Sequence, residues 1–149
     1  MLLSARRAAR VLAVQAIYQL NMTEDRGPED VLHEFLDYRK DFNDLPAKTI
    51  DWDFFSSLFL DASGKRAEIG DMIAGLLNER WSMGRLDSVL KAIAFVGIAE
   101  ISHFTEVPVK TSLDEYVEVT KLFFDKSEVS FVNGLLNAAA HISRASELS

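Results

Sequence analysis

The chain has 149 residues, 48% of them hydrophobic and 26% charged, which predicts one domain with a sizeable core. It contains no cysteine, so disulfides, thiol catalysis and cysteine-ligated zinc or iron–sulfur sites are excluded. The net charge of −7 argues against indiscriminate binding to nucleic acid, yet it is unevenly spread: residues 1–23 hold three arginines and no acid, leaving 13 basic against 23 acidic side chains in the rest.

A local positive patch on an acidic body favours a specific contact of modest footprint with an anionic partner. No run of about 18 apolar residues and no signal-peptide pattern occurs, so a soluble, cytoplasmic protein with no membrane contact is expected.

Ser4 to Tyr18 reads as one alanine-rich helix. At about 100° per residue, Ala5, Ala9, Leu12, Ala13, Ala16 and Leu20 share one arc, and Arg6, Arg7 and Arg10 fall together on the other side. Cations at a helix N-terminus oppose the dipole by about 0.3–1 kcal/mol each. An anion bound to the free N–H groups there would turn that misfit into a complementary pocket. The alternative is a solvated basic face.

Asn21 to Pro28 is a turn cluster, with Pro28 suited to the first turn of a second helix carrying Val31, Leu32, Phe35 and Leu36. Asn43-Asp44-Leu45-Pro46 breaks the pattern, and a third helix begins with Thr49 or Asp51 as its cap, its aromatics read as core. After Ala62 to Lys65, the stripe Ile69, Met72, Ile73, Leu76 and Leu77 predicts a fourth helix to about Trp81. Gly64-Lys65 lacks both the upstream glycine and the following Ser or Thr of a phosphate-binding loop, so a nucleotide site is rejected.

A break at Ser82 to Gly84 precedes a long helix that is apolar nearly all round from Val89 to Ile101, apart from Lys91 and Glu100, and is read as buried. Gly97 would admit a close helix there. Val107-Pro108 ends this helix, and Ser112-Leu113-Asp114-Glu115 reads as a capping box opening the next, to about Phe124. The last helix is placed from Val129 to about Ser143, with Gly134 read as a close-packing point. The expected fold is all-α, about seven helices, with subdomains at about 1–81 and 82–149.

His33, His103 and His141 are far apart and form no helical metal motif, and no nucleophile–base arrangement or glycine-rich loop occurs. Neither an enzyme nor a metal or other cofactor is expected.

Ala5-Arg6-Arg7-Ala8-Ala9-Arg10 followed by Ala13-Val14-Gln15-Ala16-Ile17-Tyr18 resembles the N-terminal signature of the NusB transcription-antitermination family. Val107-Pro108, Leu113-Asp114-Glu115, Val119-Thr120-Lys121 and Phe131-Val132-Asn133-Gly134-Leu135-Leu136 resemble its C-terminal signature. The resemblance implies a non-enzymatic bacterial protein that binds boxA single-stranded RNA together with NusE, within an RNA polymerase antitermination complex acting notably on ribosomal RNA operons. It places RNA contacts at Arg6, Arg7 and Arg10, with Gln15 on a base edge and Tyr18 as a stacking platform. Phe131 would add a second platform if the last helix lies beside the first; a core role is the equal alternative for Tyr18 and the favoured reading for Phe131. NusE is expected around the long helix, at Arg85, Asp87, Ser88 and Lys91. Phe95, Ala99 and Asn137 replace the Arg, Tyr and Asp usual in the family.

Other readings remain: a protein-interaction module meeting an acidic partner, or a NusB-like accessory domain of an RNA methyltransferase. The residues leave monomer and homodimer equally open.

Overall fold

A computed structural model describes residues 4–39, 50–77 and 81–148. The expected break at Asn43 to Pro46 and the alternative cap Thr49 lie outside the described residues. Among those described there are seven α-helices and no strand: α1 (Ala5–Met22), α2 (Pro28–Asp37), α3 (Trp52–Gly64), α4 (Arg66–Leu76), α5 (Ser88–His103), α6 (Val109–Lys121) and α7 (Lys126–Ser143), followed by a short 3-10 turn, Ala145–Glu147.

The apolar run of α5 decides the architecture. Leu90 and every residue from Ala92 to Ile101 are buried, so this helix needs neighbours on all sides. It receives α1, α3 and α4 from the first half of the chain and α6 and α7 from the second. Asp87 caps it, its Oδ1 accepting from the N–H groups of Val89 and Leu90 at 2.8 and 3.2 Å. Gly97 allows the approach of α7: a Cβ there would lie 2.8 Å from a methyl of Leu136. Phe95 and Ala99 are buried within this core. Phe95 fills the space over Gly70 of α4, its ring atom 3.5 Å from where a Cβ would stand.

Local signals start α1 and α3. Ser4 accepts from the Arg7 N–H at 3.0 Å, and Asp51 accepts from the Phe54 N–H at 3.0 Å. The Asp51 N–H also donates to the Ala5 carbonyl at 3.1 Å, which ties the two helix starts together.

Two helix starts, one glycine and the end of α4, at Leu76 where about Trp81 is expected, differ from expectation. α6 begins at Val109, directly after Pro108, so Ser112 lies inside the helix and the capping box does not form. The fixed φ of Pro108 suits the entry to a helix, and burial of Ser112 against Glu100 draws the first turn inward. α7 starts at Lys126, three residues before Val129. Gly134 is no packing point, because a Cβ there would meet nothing within 4 Å.

The C-terminal turn staples α5 to α6. Arg144 is buried and donates to the carbonyls of Ile101 and Thr105 at 3.4 and 3.2 Å. Glu147 pairs with Arg144 and accepts from the Val109 N–H at 3.3 Å, at the opening of α6.

Candidate nucleic-acid interface

The basic end of α1 lies between α3 and α6, and its three arginines have different environments. Arg10 is only 3% exposed, which corrects the reading of three arginines on one solvent arc. Val14 and Ile17, larger than the alanines, are buried and pull the core side of α1 round to include Arg10. Its Nε and Nη2 donate to the two oxygens of Glu100 at 2.8 and 2.9 Å. The same carboxylate accepts from the Ser112 hydroxyl at 2.6 Å and the Tyr116 hydroxyl at 2.8 Å, so both of its oxygens are fully engaged.

Burial disfavours the charge on Arg10, and the hydrogen bonds and charge of Glu100 more than offset it, leaving the guanidinium held more firmly than usual. Burial and then the neighbouring Glu100 push the Tyr116 hydroxyl far above its ordinary value, so it stays a donor.

Arg6 and Arg7 reach the surface on opposite flanks. Arg6, its side chain 49% exposed, lies over the Phe54 ring of α3 with its guanidinium carbon 4.2 Å from the ring centre, and its Nε is 3.6 Å from Asp51. Arg7 turns to α6, where its Nε and Nη2 donate to both oxygens of Glu115 at 2.7 and 3.1 Å. The hydrogen bonds from Arg7, outweighing partial burial, hold the Glu115 carboxyl below its usual range. The dipole misfit of three N-terminal arginines is thus answered within the fold by Asp51, Glu115 and Glu100.

From Arg7 a row runs along α1 through Val11, which is half-buried against the core, to exposed Gln15, Tyr18 and Met22, at i, i+4, i+8, i+11 and i+15. Gln15 is exposed and Tyr18 is 37% exposed. At 1.5 Å per residue, Tyr18 stands about 16 Å along the axis from Arg7. The row thus offers a guanidinium, an amide and an aromatic ring in line.

Phe131 is elsewhere. The neighbours of α7 are α5, α6 and α4, and the Phe131 ring packs 4.5 Å from that of Trp81, centre to centre, so the condition for a platform beside α1 is not met. Arg85, Asp87, Ser88 and Lys91 gather at the N-terminal end of α5, the first three exposed and Lys91 half-buried. Arg85 lies in the preceding turn, where its N–H donates to the Ser82 carbonyl at 3.0 Å.

Among the described residues no group of three or more acids and histidines gathers as a metal site. His103 meets Asp61 at 2.7 Å. No helix among them is long and apolar enough to cross a membrane.

Sequence reasoning missed Asp51, Phe54, Glu100 and Glu115 as the groups that hold the arginines. Glu100 alone carried a visible signal, since an acid inside an apolar helix requires a buried partner.

A family model described as the NusB family matches residues 7–141. The chain is 34% identical over 144 residues to the transcription antitermination protein NusB of Maricaulis maris, covering 95% of this chain and 89% of that one. It is 38% identical over 136 residues to the protein of the same name from Sphingopyxis alaskensis, covering 90% and 91%. A solved structure of T. maritima NusB superposes with a TM-score of 0.77 over 99% of both chains at 23% identity, which shows the shared fold.

Proposed function

The chain belongs to the NusB family of transcription antitermination proteins, and from that membership we propose that its α1 surface binds boxA-type single-stranded RNA together with NusE. The complex would support processive transcription of ribosomal RNA operons. The observation that carries this reading is the family match, which spans α1 from Arg7 to the end of the row and continues through α7 to His141. The geometry supports it by offering charge, hydrogen-bonding and stacking groups along one helix.

In this reading Arg6 holds a phosphate through N–H groups that Asp51 leaves available, and Arg7 holds a second. Gln15 bonds a base edge, and Tyr18 stacks a base, a contact worth about 1–3 kcal/mol. Arg10 touches no RNA; through Glu100 it fixes α1 against α5 and α6, so that its two basic neighbours are held in place. Phe131 belongs to the α4–α7 face and has no part in the α1 surface. NusE is assigned to the start of α5, at Arg85, Asp87, Ser88 and Lys91. No step here calls for a cofactor.

The test is binding of a boxA-type RNA and a scrambled RNA of the same composition, with and without NusE. Preference for the boxA sequence that strengthens with NusE supports the reading. Equal, weak binding to both refutes it and favours a protein-interaction module.

A further inference from the structure

Glu115 serves no helix end and is not part of the buried Glu100 cluster, yet its carboxylate is tightly placed. Ser112 and Tyr116, on the same helix, anchor α6 to Glu100, and this anchoring aims Glu115 at α1. Both of its oxygens engage Arg7, and one lies 3.6 Å from Nη1 of Arg10. The side chains of the pair are 29% and 18% exposed, so a solute can reach it.

A guanidinium grips a phosphate best through two parallel N–H groups along one edge. In Arg7 the edge formed by Nε and Nη2 already carries Glu115. A carboxylate and a phosphate oxygen pair compete for the same donors, and they repel each other.

Building on the RNA-binding reading above, we propose that Glu115 is an affinity-setting residue of this surface: it occupies the gripping edge of Arg7 in the free protein, and an RNA phosphate gains that edge only by displacing it. Binding then includes the cost of opening the pair. The surface discriminates against polyanions that offer no phosphate at that position, because they cannot replace what they disrupt.

The experiment measures RNA affinity for the full chain and for Glu115→Gln, Arg7→Ala, the two combined, and Asp114→Asn. The last removes the same charge from an exposed site on the same helix. Glu115→Gln is nearly isosteric, thermal melting checks that each variant is folded, and Glu115→Ala serves as a second variant.

Glu115→Gln is expected to tighten binding about two- to fivefold, the range of a partly exposed ion pair. Asp114→Asn should do less, and the gain should vanish when Arg7 is already alanine. Folded Glu115 variants that bind no more tightly than the wild type overturn the proposal. So does an equal gain in the Arg7→Ala background or from Asp114→Asn, since either marks a general charge effect. Absence of binding by every protein, wild type included, overturns the RNA reading and this inference with it.

Discussion

Replacing Arg10 by alanine should unfold a large part of the stability margin while the same change at Arg6 or Arg7 should not. Arg10 is 3% exposed and Glu100 is fully buried. Among the described residues, Arg10 supplies two of the four hydrogen bonds to the Glu100 carboxylate and the charged donor; Ser112 and Tyr116 supply neutral hydroxyls. Removing one member of such a pair leaves an uncompensated buried charge and costs about 3–5 kcal/mol. A domain of this kind has only about 5–15 kcal/mol in hand.

Partly exposed pairs such as those of Arg6 and Arg7 should cost under about 1 kcal/mol each. Urea unfolding followed by far-UV circular dichroism at neutral pH measures all three. Adding Glu100→Gln to Arg10→Ala should recover part of the loss, because the orphaned charge disappears. An Arg10→Ala variant within about 0.5 kcal/mol of the wild type, the range of ordinary surface changes, would refute the reasoning.

Gly97→Ala should lower the melting temperature, since overpacking against fully buried Leu136 costs about 1–3 kcal/mol and outweighs the gain in helix propensity. Gly134→Ala, with open space around it, should raise stability by up to about 1 kcal/mol; a loss there would show that the α7 surface is misjudged. The Glu115 carboxyl is depressed by the hydrogen bonds and charge of Arg7, so its contribution is full above the unfolded-state carboxylate pKa and fades as pH falls through the lower folded value. The stability gap between the wild type and Glu115→Gln should therefore narrow on acidification. A gap independent of pH would contradict that linkage.

Helix content and order follow from hydrophobic periodicity, and the caps at Ser4 and Asp51 and the start of α2 at Pro28 need nothing beyond their neighbours in sequence. The rotation of α1 was less legible. Its alanines are compatible with either a central or a marginal place in the core, so they do not fix which way the helix turns. Val14 and Ile17 decide it once α5 is present, and they draw Arg10 inside.

The capping box failed for a similar reason: Ser112 and Glu115 satisfy a local rule, but Glu100 and Arg7 offer stronger long-range partners. The family signatures located the basic end of the chain. They could not separate the arginine that holds the surface together from the two that face outward, because that distinction depends on contacts with Asp51, Glu100 and Glu115, all distant in sequence.

The central claim is tested most directly by a salt titration of boxA-type RNA binding by the wild type and by Arg6→Ala/Arg7→Ala, with the fold of each checked by thermal melting. The account predicts a folded double variant with weaker binding and a slope of log affinity against log salt that is shallower by about one to two, one phosphate contact for each lost arginine. A folded double variant with unchanged affinity and slope would contradict it.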